Sequence, residues 1–169
     1  GLGVGVGFSV EKHFVDSFGM VREATGNTYT YKIGDDIYSW AQSVKFLVEH
    51  AMNGDNVAFD YSLIRPAGST LKTCGGRTSG PAPLVDAPGK IQELLASRRG
   101  MKLTTIDAFD IAFHIAGAIV SGGVRRSAMI AIFDKDDKLM LDAKSYGWWE
   151  ENLQRQYANI SAVIDEYLF

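Results

Sequence analysis

Ser121-Gly122-Gly123-Val124-Arg125-Arg126-Ser127 sets two guanidinium groups directly behind two glycines. A guanidinium is a planar fork of donors suited to phosphate, carboxylate or the edge of a base. The glycines allow backbone states that bulkier residues resist. On an extended segment Arg125 and Arg126 point to opposite faces, so one reaches an anion while the other meets solvent or a second ligand. A glycine-capped helix end followed by two solvated arginines accounts for the same residues.

Gly75-Gly76-Arg77-Thr78-Ser79-Gly80 offers a second set of backbone amides, hydroxyls and one arginine that could converge on a phosphate, with a plain surface loop as the alternative. The opening Gly1-Leu2-Gly3-Val4-Gly5-Val6-Gly7 is not a dinucleotide fingerprint. G-x-G-x-x-G fails at Phe8 from Gly3 and at Val10 from Gly5, and no Gly-Lys-Ser/Thr follows. Taken alone these glycines read first as a tightly packed strand and second as a ligand contact.

Other candidates are weaker. Asp134-Lys135-Asp136-Asp137-Lys138 fails as a calcium loop, because Leu139 and Ser145 stand where glycine and glutamate are needed, and reads as a solvated turn. His13, His50 and His114 have no carboxylate or cysteine at ligand spacing, so no metal site is expected. Cys74, the single cysteine, has neither a second thiol nor an evident activating base and is not expected to be catalytic.

The elements that would carry these residues alternate in type. Val4–Val10 reads as a strand or extended loop, Tyr29–Ile33 and Val57–Tyr61 as strands, and Asp35 or Asp36 as the cap of a helix ending at Asn53-Gly54. That helix repeats Ile37, Trp40, Ala41, Val44, Leu47, Val48 and Ala51 at helical spacing. Ser62–Gly89 holds all four prolines and reads as a long loop, followed by a short helix over Lys90–Arg99. Thr104 or Thr105 caps a second long helix with Ile106, Phe109, Phe113, Ala116 and Val120 on one face, stopped by Gly122-Gly123. Val124–Phe133 reads as a strand, Trp148–Tyr157 as a helix and Ile160–Ile164 as a strand. The class is therefore α/β.

The 169 residues are 46% hydrophobic and 22% charged with net charge −3. This is the profile of a soluble globular domain, with no general pull toward nucleic acid or an anionic membrane. No apolar run approaches the roughly 20 residues that span a bilayer, and one thiol closes no internal disulfide. We expect no nucleic-acid partner, no membrane and a cytoplasmic location. With no initiator Met, and an opening inside a glycine-alternating stretch, the chain reads as a fragment of a longer polypeptide.

Four segments in order, GVGVGFSVEKHFV, FDYSLIRPAGSTLKTCGGRTSGPAPL, SGGVRRSAMIAIFD and QYANISAV, resemble the adenosylcobalamin-dependent ribonucleotide reductases, and among them the single-chain kind that reduces ribonucleoside triphosphates. The resemblance covers nearly the whole chain. It implies part of a ten-stranded α/β barrel, with a helical effector-binding region inserted. It implies radical chemistry that makes deoxyribonucleotides for DNA synthesis, with adenosylcobalamin as cofactor, a ribonucleotide substrate and a thioredoxin-type reductant. In that family a finger-loop cysteine becomes a thiyl radical and takes the ribose 3′ hydrogen. The finger-loop Asn-Pro-Cys-Gly-Glu is absent from these 169 residues, and Cys74 matches neither redox cysteine.

The resemblance thus assigns residues 1–169 to one central, effector-binding segment, without the N-terminal part and the finger loop. It carries effector contact to the Gly5–Lys12 segment, with Gly5, Gly7, Phe8, Ser9 and Lys12 touching a deoxynucleoside triphosphate. It assigns Ser121 to Ala128 to the specificity loop between effector and substrate bases. There Ser121, Gly122, Gly123, Val124, Arg125 and Arg126 carry the discrimination, with Arg125 touching substrate. Residues from about Arg22 to Gly54 resemble the inserted helical region. No catalytic or metal-binding residue is implied in this chain, and its necessary partner is the remaining part of the reductase. The alternatives are a stand-alone regulatory nucleotide-binding module and a non-catalytic remnant.

Overall fold

A three-stranded parallel sheet carries Gly5–Ser9 and the strand that begins at Ala128, and the elements around it follow from local chemistry. The computed structural model describes residues 5–70, 77, 80–120 and 128–164. Its strands are β1 (Gly5–Ser9), β2 (Thr28–Lys32), β3 (Asn56–Asp60), β4 (Ala128–Asp134) and β5 (Ala158–Val163). Its helices are α1 (Lys12–Asp16), α2 (Ile37–Met52), α3 (Ala82–Ser97), α4 (Thr105–Val120), α5 (Lys138–Leu141) and α6 (Trp148–Glu151), with a 3-10 helix at Leu153–Tyr157. One sheet has the order β1-β4-β5 and the other pairs β2 with β3; every pairing is parallel.

Helix α2 connects β2 and β3 as a βαβ unit. Asp36 caps it, its carboxylate accepting from the Tyr38 and Ser39 amides at 2.9 Å each. Its inward face differs from the expected one. Ser43, Leu47 and Ala51 are buried, while Ile37 and Ala41 are exposed. The Ser43 hydroxyl satisfies itself by donating to the Trp40 carbonyl at 2.7 Å, so a serine fits where an apolar residue was expected. Gly54 ends the helix at φ +86, where a Cβ would lie 2.0 Å from the Glu23 carbonyl oxygen, so only glycine fits.

The expected loop over Ser62–Gly89 is shorter in the structure, because α3 begins at Ala82 rather than Lys90. Its prolines misled the reading for two separate reasons. Pro83 lies in the first turn, where the missing N–H has no helical partner to lose. Pro88 lies inside the helix and leaves the Leu84 carbonyl without its usual donor, and the Tyr61 hydroxyl donates to that oxygen at 3.1 Å. The expected Trp148–Tyr157 helix is broken into α6 and the 3-10 helix at Asn152.

Helix α4 lies against the three-stranded sheet and buries Phe109, Phe113 and Ala116 completely; Phe113 meets Phe8 of β1 at 5.8 Å between ring centroids. Its start is a reciprocal cap. The Asp107 amide donates to Thr104 Oγ1 at 3.3 Å, and Asp107 Oδ2 accepts from the Thr104 amide at 2.8 Å. Arg98, at the end of α3, closes on the same carboxylate with both arms, at 2.7 and 2.9 Å.

Burial alone would raise the pKa of Asp107, but the Arg98 fork and then the Thr104 hydroxyl and amide outweigh it. The carboxyl is held below the ordinary value of 3.8. A group with a lower pKa folded than unfolded adds stability above its unfolded pKa and loses it as pH falls through the folded one. The stability difference between wild type and Asp107→Asn should therefore hold constant near neutrality and shrink below about pH 4. Urea titrations across that range measure it; a difference that ignores acid would mean the carboxylate is not held by these donors.

The far end of the sheet is tied to α4 by a buried ion pair. Asp110 accepts from Arg155 Nε and Nη2 at 2.8 and 2.7 Å and from Gln154 Nε2 at 2.9 Å. Arg155 Nη1 donates to the Ala143 carbonyl at 2.8 Å, behind α5. Both side chains are nearly buried, 10% and 12% exposed.

Candidate functional site

The parallel register sets Gly5 opposite Ala128, Gly7 opposite Ile130 and Ser9 opposite Ile132. The start of the glycine-rich strand thus stands beside the residue that follows Ser127. The segment Ser121–Ser127, with Arg125 and Arg126, lies outside the described residues, as does Cys74; of the second glycine-rich loop only Arg77 and Gly80 are described.

Alternation along β1 divides its residues between two faces. Phe8 points into the core against α4. Gly5, Gly7 and Ser9 share the opposite face with Ile130 and Ile132 of β4 and with Asn159 and Ser161 of β5. Gly5 and Gly7 are exposed, and among the described residues a Cβ on Gly7 would meet Ile130 Cγ2, at an ordinary 3.4 Å. Among the described residues, the glycines leave this face of β1 bare of side chains, on a parallel sheet whose other face is covered by helix α4.

Lys12 opens α1 just past the end of β1. Its amide donates to Asp134 Oδ2 at 2.7 Å, which fixes α1 against the end of β4. Its ammonium is exposed and pairs with Asp16 at 2.8 Å. Such an exposed pair contributes little, so the ammonium is available to an incoming anion. Ser9 Oγ donates to Glu11 Oε2 at 2.7 Å and accepts from the Glu11 amide at 3.0 Å. The five residues from Gly5 to Lys12 thus divide into three on the open face, one in the core and one cation at the strand end.

A second polar group was not foreseen. His50, near the end of α2, has Nδ1 3.2 Å from Asp55 Oδ2, while Asp55 Oδ1 accepts from Thr25 at 2.5 Å. The imidazole sits between Tyr29 and Phe46, with centroids 4.3 and 4.2 Å away. The five-residue spacing of His50 and Asp55 is unlike metal-ligand spacing, which is why it passed as noise; the Asn53-Gly54 turn between them was the signal that could have found it. Among the described residues no group of three His, Cys, Asp or Glu could hold a metal ion. No helix among them is long and apolar enough to cross a membrane.

The arrangement is that of a known fold. Over 96% of its length the chain superposes on a crystal structure of a B12-dependent, class II ribonucleotide reductase, with a TM-score of 0.81 at 24% sequence identity, covering 27% of that chain. No family model matches the sequence. Among curated proteins it is 40% identical over 165 residues to the adenosylcobalamin-dependent ribonucleoside-triphosphate reductase of Euglena gracilis, covering 96% of this chain and 22% of that one. The enzymes of the same name from Lactobacillus gasseri and Lactobacillus leichmannii are 30% and 33% identical over 154 and 143 residues. The chain belongs to the adenosylcobalamin-dependent ribonucleoside-triphosphate reductase family, and it spans about a fifth of the length of these relatives.

Proposed function

We propose that this chain is the effector-reading segment of a reductase that makes deoxyribonucleotides from ribonucleotides. Gly5, Gly7, Phe8, Ser9 and Lys12 belong to the effector site, and Ser121, Gly122, Gly123, Val124, Arg125 and Arg126 form the loop that passes effector identity to the substrate pocket. The observation that carries this reading is the β1–β4 register, with Gly5 beside Ala128. It joins the glycine-bare strand to the strand entered from the arginine segment, so one nucleotide could touch both. A deoxynucleoside triphosphate suits the chemistry. Its phosphates match an exposed ammonium and exposed backbone, and its base matches a guanidinium fork. Phe8 also holds β1 on α4 from the core side.

In the complete enzyme the sheet would belong to a ten-stranded barrel and residues from about Arg22 to Gly54 to an inserted helical region. Adenosylcobalamin would supply the radical, and a thioredoxin-type reductant the electrons. The described residues do not fit the cobalamin. His13, His50 and His114 lie on three separate helices, with His50 engaged by Asp55 and His114 half-buried. Contacts to that cofactor, and the radical cysteine, belong to the rest of the reductase polypeptide, and no step of the reaction is assigned to this chain.

Glycine at positions 122 and 123 permits backbone states that bulkier residues resist, and this reading needs a segment with more than one available shape. Effectors that contact those shapes differently would shift their populations and with them the preferred substrate base. Arg125→Ala in a full-length reductase carrying this segment should weaken discrimination by roughly fivefold or more, since coupling energies of this kind run about 1–3 kcal/mol. Effector affinity should fall less. The measurement is the rate ratio of two competing ribonucleotides with and without saturating effector. An equal shift in wild type and variant would make Arg125 a solvated strand residue. Nucleotide titration of the 169-residue chain alone separates a self-sufficient regulatory module from a non-catalytic remnant.

A further inference from the structure

Asp110, His114 and Gly117 stand at i, i+4 and i+7 on α4 and so form one face of that helix. This face lies against the 3-10 helix rather than against the sheet. At its lower end is the Asp110–Arg155 pair. His114, in the middle, is half-buried, and burial pushes its pKa down against the opposing pull of Asp110. At the upper end a Cβ on Gly117 would lie 3.2 Å from Tyr157 Cε2 and 3.7 Å from Cδ2. The first distance is tighter than ordinary carbon contact, so glycine lets the last turn of α4 approach the ring.

These two residues flank the ends of one segment. Gly117 is in the turn of α4 that leads to residues 121–127. Tyr157 immediately precedes Ala158, which is paired with Met129 at the start of β4, where that segment finishes. A methyl group on Gly117 must displace either the ring or the helix. The 3-10 helix resists sliding, because Arg155 is held by Asp110 and by the Ala143 carbonyl. The displacement is therefore shared between the Tyr157 ring and the end of α4.

We propose that Gly117 and Tyr157 are positioning residues that set the distance between the two ends of the 121–127 segment, and through it the discrimination among nucleotides. The proposal rests on the reading of that segment as a specificity loop. It assigns the pair no contact with substrate or effector.

The test uses a full-length reductase carrying this segment, with Gly117→Ala, which crowds the contact, Tyr157→Leu, which empties it, and the double variant. The readouts are the effector-dependent shift in the rate ratio of two competing ribonucleotides, the effector Kd and the Tm. Each single variant should reduce the shift by about fivefold, the size of a typical coupling. The double variant should recover part of it, and effector Kd should change less than the shift. A merely structural pair would lower Tm and leave the shift intact, and that result in both singles overturns the proposal. If Gly117→Ala does not fold, Tyr157→Leu alone decides. Arg125→Ala is run beside them. If it too leaves the shift unchanged, the specificity-loop reading itself has failed; if it abolishes the shift while both single variants keep it, only the positioning role is wrong.

Discussion

Asp110→Ala is expected to lower the unfolding free energy by about 3–5 kcal/mol, the usual effect of leaving one member of a buried ion pair without its partner. Arg155 and Asp110 are only 12% and 10% exposed, so water does not compensate for the lost carboxylate. Gln154 loses an acceptor in the same substitution. The effect also reaches the sheet, because Arg155 links α4 to the stretch that enters β5. Replacing both partners by apolar residues of similar volume, as in Asp110→Leu with Arg155→Met, should be far milder than either single change, because no charge is then stranded. Chemical unfolding of the chain and its variants measures all of this. A single-variant loss below about 1 kcal/mol would mean that the pair behaves like a surface ion pair.

The pure 169-residue chain, given adenosylcobalamin, a dithiol and any ribonucleotide, should form no deoxynucleotide above a control without protein. Reduction of the ribose needs a thiol to carry the radical and a second pair of thiols to close a disulfide and give up two electrons. One cysteine cannot do both. Enzymes commonly accelerate their reactions by at least about 10⁶-fold, so the loss is total rather than partial. Co-expression with a polypeptide carrying Asn-Pro-Cys-Gly-Glu should restore turnover if the two parts assemble. Product from the pure chain would refute the assignment of the chemistry to the rest of the reductase.

What could be read from sequence was local. Asp35 or Asp36 announced α2 because a carboxylate before an amphipathic run has one obvious use, and Asp36 is the one that caps it. Thr104 or Thr105 announced α4 in the same way, and the glycine alternation of β1 placed a strand within a residue or two. Long-range pairing was invisible. Asp110 looked like a polar residue in an apolar helix until Arg155 came to it from beyond β4. Pro88 argued for a loop because the donor that compensates it, Tyr61, lies outside the helix. In the candidate site, the motifs named the segments and strand alternation parts Gly5, Gly7 and Ser9 from Phe8, but only the register sets that face beside Ile130 and Ile132 and brings Gly5 to Ala128. Gly117 carried no signal, since a glycine in an apolar helix reads as a weak point rather than as a contact.

The pairing of Gly5 with Ala128 also has a consequence for synthesis. On a ribosome adding about 5–20 residues per second, β1 is made seconds to tens of seconds before β4 exists. Closing so long a loop between parallel strands is slow in itself. During that interval the edge of β1 that β4 will pair is unsatisfied, a state from which chains pair with the wrong neighbour. Glycines at every second position make it a poor template, because they lower strand propensity and remove the apolar side chains that a stray partner would cover. The bareness that leaves one face of the sheet open thus also lets the strand wait without aggregating.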